Sequence, residues 1–150
     1  MKMLRSLGEI FEKQQKLIKI TDKVQNLREN DSPGLRYLLA LAHSEHEWLL
    51  PEGAPPYKID PGAHGLTPSN LLREMRTLYI FLKGGNDTLT QMRREQLFQQ
   101  LLERLHKTEA EMIIAVKDKK FVNKYRVPKN IVNDAFPGLL DQPVSVKFHR

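Results

Sequence analysis

The chain has 150 residues, no cysteine and a formal net charge of +6, with a pI of about 9.6. That length suits one domain, or one domain with an appended arm, and the missing cysteine excludes a disulfide framework, a zinc–thiolate site and a thiol nucleophile. The basic balance favours anionic partners. No apolar run approaches the roughly 20 residues of a membrane span, and the charged start MKMLRSLGEIFEKQQ lacks the apolar stretch of an export signal, so a cytosolic protein with no membrane association is expected.

Residues 3–29 read as one long amphipathic helix. Leu4, Leu7, Ile10, Phe11, Leu17, Ile18, Val24 and Leu27 recur at three- and four-residue steps, with Gln14 interrupting the stripe. Lys13, Lys16, Lys19 and Lys23 share the other face with Glu9, Glu12 and Asp22. Two readings follow. The polar face is solvated and the stripe packs on a core, or the helix is a coiled-coil or partner-docking arm. In the second case Leu4, Leu7, Phe11, Leu17, Ile18 and Val24 make the contact, and a homo-oligomer is one outcome.

Ser32-Pro33 caps and starts a second helix expected to reach about Leu50, with Trp48 as a core anchor. On that helix His43, His46 and Glu47 would share a face at spacings that suit a metal, although the pattern lacks the full HExxH form. Residues 51–66 form a Pro/Gly-rich linker, either mobile or packed across a surface and pinned by Tyr57 and Ile59. The linker divides a hairpin or arm (1–50) from a helical domain (67–150). Thr67-Pro68 repeats the capping pattern before a helix to Lys83 that Gly84-Gly85 closes. Thr90 caps the next helix, which breaks at His106-Lys107. A capping box of Thr108 and Glu111 then opens another, with Glu109 also favourable to its dipole. Val127-Pro128 starts a short last helix stopped by Pro137-Gly138. The tail 143–150 alternates Val144, Val146 and Phe148, as a strand laid on the body or a disordered end would. The expected fold is all-α, an irregular bundle of five or six helices.

The chemistry-bearing stretch is Lys117, Lys119, Lys120, Lys124, Arg126 and Lys129, with Phe121 and Tyr125 interleaved. Cations neutralise phosphates and aromatics stack on bases, so this composition suits single-stranded or structured nucleic acid, with Arg93, Arg94 and Arg104 as candidate extensions. Its bland counterpart is a cationic helix C-terminus that suits the dipole, with both aromatics in the core. No GxSxG, HExxH or Walker loop is present, and no cofactor is implied.

The block from about Leu50 to Leu140 resembles a family of unknown function found in T-even-like tailed bacteriophages, through LPEGAPPYK, LLREMRTLYIFLKGGN, REQLFQQLLERLHKTEAEMIIAVKDKK and VNDAFPGLL. The resemblance implies a phage protein in the host bacterial cytoplasm, or in the virion, and carries no activity or catalytic residue with it. The leading expectation is a non-enzymatic accessory protein. It would bind nucleic acid or a nucleoprotein machine through Lys117, Lys119, Lys120, Lys124, Tyr125, Arg126 and Lys129. The alternatives are a protein–protein module built on the N-terminal helix, serving virion assembly or modulating a host enzyme, and a metal-dependent enzyme at His43, His46 and Glu47.

Overall fold

Ser6 opens the first helix. Its Oγ accepts from the Glu9 amide and the Glu9 carboxylate reaches back to the Ser6 amide, a reciprocal capping box. The computed structural model describes residues 5–59, 62–64 and 66–149, so Leu4 lies outside the described residues. Among them the chain forms α1 (Leu7–Lys16), α2 (Ile20–Glu29), α3 (Pro33–Ala42), α4 (Leu71–Glu74), α5 (Gln91–Arg104), α6 (Lys107–Lys117), α7 (Phe121–Tyr125) and α8 (Lys129–Ala135). α4 continues as a 3-10 helix over Met75–Phe81, and a 3-10 turn over Leu139–Asp141 follows α8. The fold is an all-α irregular bundle, with more and shorter helices than the periodicity suggests.

The expected long helix over 3–29 is two helices. The chain turns extended at Leu17, and α2 folds back beside α1. The interruption of the stripe at Gln14 is the clue. Gln14 is fully buried, and its Oε1 accepts from Asn26 Nδ2 at 2.9 Å while the same amide donates to the Ile10 carbonyl at 3.1 Å. The Asn26 amide thus ties the two helices across the hairpin, while Gln14 Nε2 is buried without a partner among the described residues, and Leu7, Ile10, Phe11, Val24 and Leu27 all reach the core.

α3 also stops early, at Ala42 and not at Leu50. The Ser44 hydroxyl donates to the Leu41 carbonyl, competing with the helical ladder. Residues 47–49 then run beside 81–83, with Leu49 N on the Phe81 carbonyl at 2.8 Å and Lys83 N on the Glu47 carbonyl at 2.9 Å. This isolated bridge seats Trp48 in the core, as expected. Asn70, not Thr67, caps α4, and His106, not Thr108, caps α6 through Nδ1. The helical stretch expected to reach Lys83 ends at Phe81, with Leu82 extended in the bridge, and Gly84 takes the left-handed region at φ +86° in the turn that follows.

One core draws on all eight helices and runs across the linker that sequence places between two units. Phe11 meets Phe121 edge-on at 5.1 Å and Tyr125 at 5.8 Å, joining the first helix to the seventh. The linker is strapped down. Its Gly53 amide donates to Asp118, its Lys58 amide donates to Glu103 at 2.8 Å, and His64 Nε2 donates to Glu12 at 2.7 Å. Tyr57 packs on the core while Ile59 stays exposed. The tail forms no strand. It lies extended across α3, where the Tyr37 hydroxyl donates to the carbonyls of Ser145 and Val146, and Phe148 packs on the Tyr37 ring at 5.2 Å. Burial pushes the Tyr37 hydroxyl up to about 12.

At the other end of α1 sits a buried carboxylate. Glu109 is 2% exposed, accepts from the Gly8 amide at 3.1 Å and from the Leu71 amide at 2.7 Å, and so caps the N-termini of α1 and α4 together. Gly8 permits the approach, since a Cβ there would stand 2.2 Å from Thr108 Oγ1. Nearby Glu74 is also buried. Burial pushes its carboxyl up, but hydrogen bonds from Arg104, Ser69 and Thr77 outweigh that and hold it below the usual range.

Candidate nucleic-acid interface

Of the cations expected to form a contact surface, Lys117 does not. It is buried at the end of α6, where its ammonium donates to the Pro51 and Gly53 carbonyls at 2.8 and 3.0 Å and pairs with Asp118. The reason is tertiary: the linker crosses α6 here and its turned-in carbonyls need a donor. Tyr125 is also excluded, because it is buried between Phe11 and Phe121. Burial is the main cause that pushes its hydroxyl well above the ordinary tyrosine range. Arg94 and Arg104 do not extend the surface either. Arg94 is buried and donates to the carbonyls of Ile80, Asn86 and Leu89, and Arg104 pairs with Glu74.

Lys119 is tethered rather than free, its ammonium donating to the carbonyls of Ser44 and His46. Partial burial lowers its pKa, against the opposing pull of Glu45. Lys120 is exposed and makes a loose 3.9 Å pair with Glu52. Lys124, Arg126 and Lys129 are exposed, with the Lys124 ammonium over the ring of the buried Tyr125 at 5.5 Å from its centroid. Arg126 adopts the left-handed conformation (φ 58°) that ends α7, and three residues, 126–128, separate α7 from α8.

The elements around this remnant bring further cations to it. α1 packs on α7 and α2 on α8. Gln15 Nε2 donates to the Lys124 carbonyl at 3.4 Å, which sets the end of α1 against α7. Arg28 reaches the Asp134 carbonyl, which lays α2 along α8. Lys16 and Lys19 follow Gln15 directly in the α1–α2 turn, and Lys23 stands one turn into α2. Lys16, Lys19, Lys23, Lys124, Arg126 and Lys129 form no ion pair with a described residue. The acid on these elements nearest in sequence is Asp22, in the first turn of α2. Sequence reading assigns these lysines to the solvated face of one long helix. The signal that could have placed them at a turn is Gln14, a polar residue in an apolar stripe.

Between the turn lysines two apolar residues stand in solvent: Ile18 is 86% exposed and Ile20 55%. The other described residues expected for a partner-docking arm are taken by the core, Leu4 lying outside the described residues. Leu7, Phe11 and Val24 are buried and Leu17 is half-buried, so the stripe cannot also serve a partner.

The triplet His43, His46 and Glu47 is not brought together on a helix face, because α3 ends at Ala42. His43 Nε2 donates to the Val127 carbonyl at 2.8 Å, His46 Nε2 donates to the Val144 carbonyl at 2.6 Å, and Glu47 pairs with Lys83. No group of three metal-ligating side chains is found among the described residues. Both histidines line a groove of about 620 Å³ with Lys129, Asn133, Glu45 and Asp141, a lining of mixed charge. Burial lowers the His43 pKa, with Lys129 adding to the shift and the Val127 bond opposing it.

A second polar set lies at the start of α1. Ser6 Oγ is 3.3 Å from His64 Nδ1, and His64 Nε2 meets Glu12 at 2.7 Å, the connectivity of nucleophile, base and orienting carboxylate. It does not assemble an acyl-transfer site. The Ser6 hydroxyl is the cap of α1 and donates to Glu9 at 3.1 Å. The Gly8 amide, which would serve as an oxyanion donor, already holds the Glu109 carboxylate.

Among the described residues no helix is long and apolar enough to cross a membrane. No curated protein and no solved structure matches the chain. The family of unknown function DUF6433 matches residues 10–123, more than half of the chain, and the protein belongs to that family.

Proposed function

We propose that this is a non-enzymatic nucleic-acid-binding protein whose contact surface is the basic end formed by the α1–α2 turn, the end of α7 and the start of α8. One observation carries the reading: Lys16, Lys19, Lys23, Lys124, Arg126 and Lys129 sit on packed neighbouring elements, and none is in an ion pair with a described residue. Cations on a rigid scaffold release counterions when they meet phosphates, which supplies sequence-independent affinity. The phage resemblance adds a setting, an accessory to replication or transcription in an infected bacterial cytoplasm. Binding to labelled DNA and RNA by fluorescence anisotropy tests it. If about five phosphates are neutralised, affinity falls several-hundred-fold between about 50 and 200 mM salt. No binding at the lower salt would remove the proposal.

A second reading, a protein–protein module, is supported by the exposed Ile18 and Ile20. It predicts a dimer or hetero-complex that survives high salt, because apolar burial is not screened. A monomeric mass by light scattering at all salts, with no salt-resistant partner, would count against it.

A further inference from the structure

We infer that the nucleic acid taken by this surface is duplex, and that Ile18 and Ile20 act on it as an aliphatic wedge between base pairs. The inference rests on the proposed function and goes further on two observations. The first concerns the aromatics. Proteins that hold single strands present aromatic faces on which unpaired bases stack. All eleven Phe, Tyr and Trp side chains lie in described residues, and every one is buried or half-buried. Phe11, Phe121 and Tyr125, the aromatics nearest the basic end, pack on one another in the core. An unpaired base finds no platform there, so the basic end offers phosphate contacts without base stacking.

The second observation is the turn itself. Ile18 and Ile20 are 86% and 55% exposed, and lysines stand on either side at Lys16, Lys19 and Lys23. The turn is firmly held. Leu17 N bonds the Lys13 carbonyl, Lys23 N bonds the Lys19 carbonyl, and the buried Gln14–Asn26 pair clamps the helices just behind it. A stiff apolar tip flanked by cations matches the wedges that part a base step while the flanking charges hold the two phosphate backbones. An anionic membrane is the competing surface for such a tip. Interfacial binding needs a broad apolar face, usually with aromatic anchors, whereas one or two aliphatic side chains suffice to part a base step.

The test uses the full chain, an end-labelled duplex of about 20 base pairs, the corresponding single strand, and vesicles of phosphatidylcholine with phosphatidylserine. The wild type should bind duplex more tightly than single strand and shorten its end-to-end distance by energy transfer. Replacing Ile18→Ser and Ile20→Ser together should abolish the bend and weaken duplex binding about tenfold, while the slope of affinity against salt stays unchanged. Both positions are exposed, so circular dichroism should show the fold intact. Equal or tighter binding of the single strand, or a double variant that bends duplex like wild type, overturns the wedge and leaves the proposed function standing. Absence of any nucleic-acid binding at about 50 mM salt, with or without capture of the vesicles, overturns both.

Discussion

The two ends of α1 treat charge in opposite ways. At its N-terminus three carboxylates have internal partners: Glu109 holds two helix starts, Glu9 completes the capping box and Glu12 holds His64. At its C-terminus, one helix length or about 15 Å away, Lys16 and Lys19 face solvent beside Lys124 with no carboxylate engaged. α6 draws the same contrast within one segment, since Lys117 is buried under the linker while Lys120, three residues on, is exposed. Lysines that look equivalent in KDKK therefore differ in kind. Lys117 and Lys119 satisfy backbone carbonyls, and Lys120 stands exposed with only a loose pair to Glu52.

Substitutions should separate the ends. The largest effect is expected at Glu109. Glu109→Ala leaves two buried amides unpaired and should cost about 2–4 kcal/mol in urea unfolding; a loss under about 0.5 kcal/mol would mean that the carboxylate is not a shared cap. Next, Lys117→Ala strands Asp118 and two linker carbonyls and should cost about 3 kcal/mol, yet nucleic-acid affinity per folded molecule should not change. If affinity fell with it, the division between the lysines would be wrong. Lys124→Glu with Lys129→Glu should do the reverse. Duplex affinity should drop at least tenfold at about 50 mM salt, while stability stays within about 0.5 kcal/mol.

The smallest effect is a titration. His43 should titrate below its ordinary value by NMR, chiefly from burial, and Lys129→Ala should raise its pKa by removing a neighbouring cation. The sign for stability follows: neutral His43 is the favoured folded form, so its contribution is present above about pH 6.5 and lost as the pH falls through its lowered pKa. An unshifted His43 would contradict the packing against Val127.

Much of this was legible locally. Ser32-Pro33, Thr90 and Val127-Pro128 mark helix ends where the structure has them, and the break at His106-Lys107 lies between α5 and α6. These signals act on backbone groups within a turn of themselves, so spacing alone reveals them. The bend after Lys16 was missed because no proline or glycine marks it; its cause is the Gln14–Asn26 amide pair. The tethering of His43 depends on a carbonyl at Val127, and the burial of Lys117 on carbonyls at Pro51 and Gly53, more than sixty positions away. No window along the chain holds both partners of such contacts. The basic composition of 117–129 was legible, but which cations in it remain available was not.

The shared carboxylate also bears on how the chain assembles. Gly8 and Glu109 are 101 positions apart, and Leu71 joins the other oxygen of the same carboxylate across 38. Closing loops of that length is entropically slow and comes after local helices have formed. Glu109 should therefore be a late contact: its replacement is expected to speed unfolding several-fold while leaving the refolding rate almost untouched. The residue that fastens α1 to the body would then govern how long the basic end, once built, persists.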